Sequence, residues 1–520
     1  MPGGCEVITR LLDLDAYHLP TGRLHRWRLC TPPTYQLRGG PWPGLCYLPL
    51  VVQPPEVTVS VASPSAPARL SVGGVVLANH LWGGPRQWWV EDVATGALVE
   101  VALPGRPLTP LLTEYAVAGR RVVERLIEVG GAYSSAQSVF SGVVAADPKQ
   151  SKIYQIDIEV MGQEELCNIA LQSDLDVYKN EDIFGEHEDV RESLKGKSRE
   201  VALGECVVEP TYRGTRDGRH VYSVNGVRRV HAVEWVSNRG SRYTRVAADP
   251  GIGEWTADLA SSLLTLGGAK PESLRAKVVG DAPGGEYLAT LGQVAGLVLG
   301  RAGLPGLPCD LHQVVGLAYA PGDAPTVATV LDSLAASVAR GGWYVTHAGS
   351  VWLGRLPGFG PAVATYRAGV NCSPAVPSLS AGGNAPARAV ALQWGAVPEV
   401  DDLADAATAQ DQALLATTWR TVRRAAVDVA AAYPLAREVT VETALQRATD
   451  AEAEATALLT DRSVVRRTCS LDVYDGAPGL DVGAVIHVTG GALVPGRTCV
   501  VLGRESRGRL RRTSLIVSPL

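Results

Sequence analysis

Short apolar runs separated by glycine and proline are the feature that most limits what this chain can fold into. The 520 residues include 56 Gly and 34 Pro, without the three-residue period of collagen. Residues 56–62 (EVTVSVA), 97–103 (ALVEVAL) and 121–129 (RVVERLIEV) alternate or carry β-branched side chains. Such runs, with turn residues at short intervals, are typical of β sandwiches and barrels. We therefore predict a β-rich region from Cys5 to about Ala145.

The composition argues against several classes of protein. Hydrophobic residues make up 46% of the chain and charged residues 19%, which is too apolar for a disordered protein and sufficient for several packed cores. The net charge of −5 argues against a general nucleic-acid binder. The longest uncharged apolar stretch, residues 287–300, is too short to span a membrane, and the N-terminus lacks an apolar secretion signal. We expect a soluble protein, synthesised in a cytoplasm and without stable membrane insertion.

The cysteines are scattered along the chain. No two lie within four residues of each other, so the paired spacing of a zinc site is absent. We expect reduced, buried thiols, while a metal cluster built from distant cysteines stays an open alternative. The nine are Cys5, Cys30, Cys46, Cys167, Cys206, Cys309, Cys372, Cys469 and Cys499.

The pattern changes over residues 147–205. A strand-like segment at 152–161 is followed by the acidic run 180–192. Asp174 and Asp176 occupy the first and third positions of a possible calcium loop, but Lys179 stands where that loop requires glycine. We therefore predict a solvated acidic loop that does not bind calcium.

Hairpin and helix signals follow. Asn225–Gly226 predicts a hairpin between strands at 221–224 and 227–235. Apolar residues at helical spacing predict helices over about 288–302 and 327–338. A second hairpin is predicted from 343–347 and 351–356.

The C-terminal part combines helices with a return to strands. We predict two further helices, at about 402–432 and 441–459, because Tyr433–Pro434 must end the first. Four strands are predicted to follow, at 463–474, 482–488, 498–502 and 510–517.

No catalytic signature stands out. The sequence has no GxSxG elbow, HExxH helix, P-loop or GxGxxG after a strand. His231, His347 and His487 lie in β runs, where structural histidines are common. Asp401, Asp402 and Asp405 are interpreted as helix-capping residues, although a glycosidase carboxylate pair stays open because its spacing depends on the fold. We predict no enzyme activity, no catalytic, cofactor-binding or metal-binding residue, and no cofactor.

Two exposed groups of side chains were considered for binding. In the strand that carries Trp88–Trp89, one indole is expected in the core and the other towards solvent or a partner. Together with Trp82 these residues would form the aromatic shelf of a carbohydrate-binding protein. The basic run 503–512 could touch phosphate, but a solvated hairpin is the preferred interpretation. Its arginines are Arg504, Arg507, Arg509, Arg511 and Arg512.

Five stretches together resemble the tail-tip baseplate hub proteins of long-tailed bacteriophages, especially Mu-like transposable phages with flexible, non-contractile tails. The similarity lies in the number and order of the stretches from about residue 190 to the C-terminus. They are 193–214 (SLKGKSREVALGECVVEPTYRG), 221–235 (VYSVNGVRRVHAVEW), 274–304 (LRAKVVGDAPGGEYLATLGQVAGLVLGRAGL), 330–356 (VLDSLAASVARGGWYVTHAGSVWLGRL), and 433–459 followed by 480–508.

The resemblance implies a structural protein of the virion, located at the distal end of the tail. Such hubs form a ring, usually a homotrimer, that closes the tail tube, joins it to a central fibre and forms part of the DNA ejection channel during host attachment. The implied partners are the distal tail ring, the tape measure protein and the central fibre. Viral DNA would pass without specific binding. The alternative is a tail-associated carbohydrate-binding or cell-envelope-degrading protein.

The expected fold class is α+β, β-rich and multidomain, with tail-tube-like β barrels or sandwiches and inserted α/β domains. The expected segments are a β-rich N-terminal domain (1–146), a mixed segment with the acidic loop (147–205), a hairpin-containing domain (206–272), an α/β hub domain (273–400), a helical segment (401–460) and a C-terminal β domain (461–520).

Overall fold

A computed structural model describes most of the chain. The described residues are 8–32, 47–55, 57–61, 68–79, 87–102, 106–128, 131–152, 154–172, 176–346, 349–356, 361–377, 386–400, 402–464, 468–474, 480–493, 496–507 and 512–519. The protein is a β-rich α+β protein with several sheets and several hydrophobic cores, which confirms the predicted fold class. The six predicted segment boundaries stay a prediction.

The N-terminal region contains two packed sheets, one short helix and a hairpin, β4–β5, that belongs to neither sheet. One sheet has the order β14-β11-β10-β1-β2-β7-β8, with β9 paired to β1, and the other has the order β12-β13-β6-β3. Fully buried side chains from both sheets, among them Trp27 and Leu77, meet in one core. The elements are β1 (Ile8–His18), β2 (Arg23–Cys30), β3 (Val51–Gln53), β4 (Val57–Val61), β5 (Ala68–Val72), β6 (Val75–Ala78), β7 (Gln87–Asp92), β8 (Leu98–Ala102), α1 (Thr109–Thr113), β9 (Tyr115–Ala116), β10 (Arg121–Glu128), β11 (Gln137–Val144), β12 (Lys149–Lys152), β13 (Gln155–Ile158) and β14 (Val160–Gly162).

A second pair of sheets follows after a short helix. The sheets have the orders β19-β18-β23-β15-β24 and β16-β17-β22-β21-β20, and they enclose a core that includes Trp255 and Val278. The elements are α2 (Glu188–Leu194), β15 (Val201–Val208), β16 (Thr211–Arg216), β17 (Arg219–Ser223), β18 (Ala232–Asn238), β19 (Ser241–Arg242), β20 (Thr244–Arg245), β21 (Glu254–Asp258), β22 (Leu263–Leu266), β23 (Leu274–Gly280) and β24 (Gly316–Tyr319).

The predicted hairpin at Asn225–Gly226 is wrong. The strands on either side belong to different sheets, because β17 pairs with β16 and β22 whereas β18 pairs with β19 and β23. The Asn225 side chain accepts a hydrogen bond from the backbone N–H of Ala202 (2.8 Å), and the Gly226 N–H donates to Glu200 (3.0 Å). These long-range bonds hold the segment as a corner between two sheets, and Gly226 supplies the left-handed conformation (φ +61°) that the corner needs.

The predicted acidic loop is wrong in part. Residues 188–194 form helix α2, and Asp182 is held by two buried arginines. Its carboxylate accepts a hydrogen bond from Arg199 (2.6 Å) and lies 3.4 Å from the guanidinium of Arg213. The acidic run is therefore tied to the sheets beside it, and only its other carboxylates face solvent.

Helices and further strands form the next region around the largest core. Helices α3 and α4 confirm the predicted helices, and each begins at a threonine whose hydroxyl accepts a backbone N–H, Thr290 for α3 and Thr326 for α4. Strands β25 and β26 form the predicted second hairpin. The elements are α3 (Leu291–Arg301), α4 (Val327–Ala336), β25 (Gly341–Val345), β26 (Val351–Arg355), β27 (Ala364–Arg367), β28 (Val376–Pro377), β29 (Ala389–Trp394), α5 (Ala409–Leu415), β30 (Arg420–Ala425), α6 (Val427–Ala432), β31 (Glu438–Glu442) and α7 (Ala448–Arg462).

The predicted helix over 402–432 is wrong, and the one over 441–459 begins too early. The first range contains two short helices, α5 and α6, with strand β30 between them. Strand β29 pairs antiparallel with β30, from the first range, and parallel with β31, most of which precedes the second range, so the three strands form one sheet. Helix α7 starts at Ala448, after β31, and packs on this sheet.

The C-terminal strands form a sheet that an N-terminal hairpin joins. Its order is β27-β33-β34-β35-β32-β28, and the antiparallel β4–β5 hairpin pairs through β4 with the second half of β34. In this pairing Gly503 lies opposite Ser60 and Ser506 opposite Val57. The four predicted C-terminal strands are confirmed as β32 (Cys469–Val473), β33 (Val485–Thr489), β34 (Arg497–Arg507) and β35 (Arg512–Pro519).

Candidate functional site

Two neighbouring cavities lie where the sheet containing β15 meets the three-stranded sheet of β29, β30 and β31. Val207 of β15 and Val397, in the loop after β29, line both of them. The larger cavity has a volume of about 560 Å³ and is mostly apolar, with the carboxylates of Asp332 and Glu442 at its wall. Asp332 accepts a hydrogen bond from the indole N–H of Trp343 (2.7 Å), so this carboxylate has a structural partner.

The smaller cavity, named the Arg420 cavity here, combines cations with apolar walls. Its volume is about 400 Å³. Strands of both sheets and helix α5 contribute to it, and the residues that matter for its chemistry are Trp235, Arg242, Lys277, Gln410, Leu414 and Arg420.

Arg242 is neutralised at one side of the Arg420 cavity. Its guanidinium binds both carboxylate oxygens of Asp411, with its Nη2 at 2.6 Å from Oδ1, and it stacks over the Trp235 ring at 5.0 Å. Burial acts to raise the pKa of Asp411, but the hydrogen bonds from Arg242 and Thr408 outweigh it and hold that pKa below its usual value. Thr408 also caps helix α5, which fixes Asp411 in the first turn of the helix.

Lys277 and Glu205 belong to a second compensated group. The Lys277 ammonium lies 2.8 Å from Glu234 and 3.9 Å from Glu205. Glu205 also pairs with Arg447 (3.4 Å) and accepts a hydrogen bond from the hydroxyl of Tyr287. The charges of this group are therefore satisfied by one another.

Arg420 is different, because no carboxylate of the described residues pairs with it. It stacks over the Trp394 ring, with 4.8 Å between the guanidinium carbon and the ring centroid. Burial lowers the pKa of Arg420, and no acidic neighbour offsets that effect. A guanidinium in this situation is a ready donor for an oxyanion from outside the chain.

Those residues considered for catalysis at the sequence level that the structure describes lie in different elements of the fold. The ring of His231 is hydrogen-bonded through Nδ1 to the backbone carbonyl of Gly285 (2.8 Å), and His487 lies in β33. Asp402 pairs with Arg239. The capping interpretation of Asp402 and Asp405 is wrong, because α5 begins only at Ala409 with Thr408 as its cap. His347 and Asp401 lie outside the described residues.

The calcium-loop and basic-run residues also have structural partners. Asp176 pairs with Arg228 (2.6 Å), while Asp174 lies outside the described residues. The basic run forms the hairpin of β34 and β35, as predicted, but Arg504 is buried and donates to the backbone carbonyl of Leu480 (3.1 Å) instead of facing solvent. Arg509 and Arg511 fall outside the described residues.

The tryptophan pair behaves as the strand alternation predicts. Trp88 packs against the N-terminal core, and Trp89 is 45% exposed. Trp82 lies outside the described residues. A shelf of several exposed rings is therefore not formed by Trp88 and Trp89, which point to opposite faces of β7.

Six cysteines are buried, namely Cys30, Cys167, Cys206, Cys372, Cys469 and Cys499, whereas Cys309 is partly exposed and Cys5 and Cys46 lie outside the described residues. Burial raises the pKa of the Cys206 and Cys499 thiols to about 12, so both are unreactive at neutral pH. Across the part of the chain that the structure describes, no group of three or more His, Cys, Asp or Glu side chains is arranged to hold a metal ion. No helix there has both the length and the hydrophobicity of a membrane span.

Comparison with solved structures finds similarities at low sequence identity. No protein-family model and no curated protein matches the chain. A chain from the virion of a native gene transfer agent particle is 15% identical, with a TM-score of 0.45 over 63% of this chain and 85% of that one. The 43 kDa tail protein of prophage MuSo2 from Shewanella oneidensis is 10% identical (TM-score 0.41, 98% of both chains). The tail protein from Neisseria meningitidis MC58 is 9% identical (TM-score 0.42, 98% of this chain and 96% of that one).

Proposed function

We propose that this chain is a structural protein of a bacteriophage tail, the baseplate hub at the tail tip. As a homotrimeric ring it would close the tail tube, connect it to the central fibre and form part of the DNA ejection channel. It would act through assembly with the distal tail ring and the tape measure protein and not through catalysis.

The observation that carries the proposal is the sequence resemblance over residues 193–508, together with how those stretches fold. They supply β15 and β16, then β17 and β18, then β23 and α3, then α4 with the β25–β26 hairpin, and finally α7 with β33 and β34. The resembling stretches supply most of the core residues of the second sheet pair and the helical region, and a smaller share of those of the C-terminal sheet. The resembling stretches therefore carry the packing of this half of the molecule and are not surface insertions.

Sheet edges give the proposal a physical route to assembly. Within the described residues β8 pairs only with β7, and β31 pairs only with β29. Unpaired edges can accept a strand or a packing surface from a neighbouring subunit, and a head-to-tail contact of this kind forms a ring when the rotation between subunits closes.

Immunogold electron microscopy on phage particles from the source bacterium tests the location. We expect gold only at the distal end of the tail, and none on particles treated with the same antibody after absorption with the purified chain. Unlabelled particles with the protein left free in the lysate would overturn the proposal. Native mass spectrometry of the protein released from labelled tails then tests the homotrimer, for which we expect three copies.

A further inference from the structure

We propose that the Arg420 cavity is a binding site for an acidic peptide segment, which places a side-chain carboxylate against the Arg420 guanidinium and its apolar flanks against the cavity walls. This site is separate from the tail-tip proposal, since it concerns a property of the isolated chain.

Charge compensation singles out Arg420 among the cations that line the cavity. Arg242 is paired with Asp411 at 2.6 Å, and Lys277 is paired with Glu234 at 2.8 Å. Arg420 has only the face of Trp394 as a partner within the described residues. The half-buried Arg420 guanidinium makes no hydrogen bond with the described residues, so its N–H groups are available, and a bound carboxylate would accept two charge-assisted hydrogen bonds from them.

The shape and lining of the cavity indicate what carries that carboxylate. A volume of about 400 Å³ lies within the range of small-ligand sites. Val207, Trp235 and Leu414 form apolar walls, and the amides of Gln410 and Gln446 provide neutral hydrogen-bonding groups beside them. Inorganic phosphate is much smaller than the cavity and would leave the two amides and the apolar side chains without a partner, whereas the backbone and flanking residues of a glutamate-containing peptide would contact both. The lining therefore favours a peptide over a free anion.

Two carboxylates near the Arg420 cavity would repel an acidic ligand if they were not paired with cations. Glu205 lines the same cavity, but Lys277, Arg447 and Tyr287 already surround its carboxylate. Asp411 is occupied by Arg242. Neither carboxylate forms an ion pair with Arg420, and each is already neutralised by a cation of the fold, so neither presents an uncompensated negative charge to the ligand.

Isothermal titration calorimetry on the purified full chain tests the site. The probes are acetyl-Leu-Glu-Leu-amide, its neutral analogue acetyl-Leu-Gln-Leu-amide, and inorganic phosphate. We expect the acidic peptide to bind at least tenfold more tightly than either of the other two. Phosphate binding with no preference for the peptide would overturn the peptide assignment and identify the ligand as a free oxyanion.

Arg420→Gln and Arg423→Gln form a matched pair of variants. Both lie on β30 and both lose one positive charge, but residues three apart on a strand face opposite sides, and Arg423 pairs with Glu438 at 2.9 Å. We expect Arg420→Gln to weaken binding of the acidic peptide at least tenfold and Arg423→Gln to leave it within twofold. Equal loss in both variants, or no loss in either, would overturn the proposal.

A second variant separates binding from folding. Arg420→Lys keeps the charge and loses the planar fork, so we expect weaker binding of the acidic peptide, between that of the native chain and that of Arg420→Gln. The melting temperature of Arg420→Gln should be no lower than that of Arg423→Gln, because no ion pair of the fold is lost. A marked fall in the melting temperature of both Arg420 variants would assign Arg420 to the fold and overturn the proposal.

Discussion

The N-terminal sheet and the Arg420 cavity differ in how their charged side chains are compensated. On β1 and β10, Asp15 binds Arg26 at 2.7 Å and Glu124 binds Arg10 at 2.6 Å. Asp13 pairs with Arg125 and also accepts a hydrogen bond from the hydroxyl of Tyr47 (2.8 Å). Each of these carboxylates has its cation on a neighbouring strand.

The difference separates charge that maintains the fold from charge that is left for a ligand. Removing one member of a buried pair leaves the other charge without a partner in a poorly solvated place. The paired charges of the N-terminal sheet are therefore needed for stability. Arg420 has no such partner among the described residues, so the fold loses little when it is neutralised. The degree of charge compensation, more than burial itself, singles out Arg420 as the arginine proposed to bind a ligand.

Arg10→Met removes one member of a buried ion pair in the N-terminal sheet, and we expect it to have the largest effect on stability. It leaves Glu124, which is 1% exposed, without the cation that is hydrogen-bonded to it, and only the more distant charge of buried Arg504 still acts on it. We expect a loss of about 3 kcal/mol in the free energy of unfolding. Burial already raises the pKa of Glu124 and Arg10 opposes this, so the variant should be least stable at high pH, where the stranded carboxylate must ionise. Urea unfolding followed by tryptophan fluorescence measures both effects.

Arg23→Met is the control on the same sheet. Its side chain is 63% exposed, and its partner Asp92 keeps hydrogen bonds from the backbone N–H groups of Ala94 and Thr95. We expect its urea midpoint to match that of the native chain. If the urea midpoint of Arg10→Met also matched that of the native chain, the degree of charge compensation would not distinguish the N-terminal sheet from the Arg420 cavity.

Asp411→Asn should increase the uncompensated positive charge at the Arg420 cavity. It frees Arg242 beside Arg420 and removes a buried carboxylate with strong hydrogen bonds, so we expect a loss of about 1–3 kcal/mol in the free energy of unfolding. Affinity for acetyl-Leu-Glu-Leu-amide should rise roughly three- to tenfold, equivalent to about 0.7–1.4 kcal/mol. Calorimetry at constant ionic strength measures the change. A fall in affinity would mean that Asp411 supports the ligand site instead of competing with it.

His25 gives the smallest expected effect and tests a neutral group in the paired region. Burial lowers the pKa of His25, whose Nδ1 is hydrogen-bonded to the Tyr115 hydroxyl (2.9 Å). The unfolded chain therefore takes up the proton more readily, and the stability from neutral His25 is complete above about pH 6.5 and lost as the pH falls below it. The difference in unfolding free energy between pH 7.5 and pH 5.5 should be smaller in His25→Gln. An unchanged difference would contradict this assignment.

The sequence predicts elements where the local pattern and the packing agree. The β-branched residues of 121–128 and the helical spacing in 327–336 both coincide with what is buried. Asn225–Gly226 misleads because its turn signal is local, whereas hydrogen bonds to Ala202 and Glu200, more than twenty residues away, decide the geometry. The range 402–432 is rich in alanine and is predicted to be a helix, so β30 is missed. The side chains of β30 alternate in exposure because the strand pairs with β29, which is distant in sequence.

The Arg420 cavity could not be predicted from the sequence. Its residues come from β15, β18, β23, α5 and β30, which are far apart in the chain. Arg420 itself gives no signal, since one arginine in a short strand resembles any solvated residue. What distinguishes it is the lack of a carboxylate beside it, and that depends on how the two sheets meet.

The pairing of β4 with β34 has a consequence for synthesis on the ribosome. The β4–β5 hairpin leaves the ribosome about 440 residues before the strand that covers it, which at ordinary elongation rates is a delay of roughly 20–90 s. Throughout that time the edge of β4 that later pairs with Gly503–Ser506 is open to other nascent chains. A premature stop codon anywhere before residue 503 would leave that edge open permanently, so truncated products should be removed by proteases or aggregate, and only full-length chains should reach assembly.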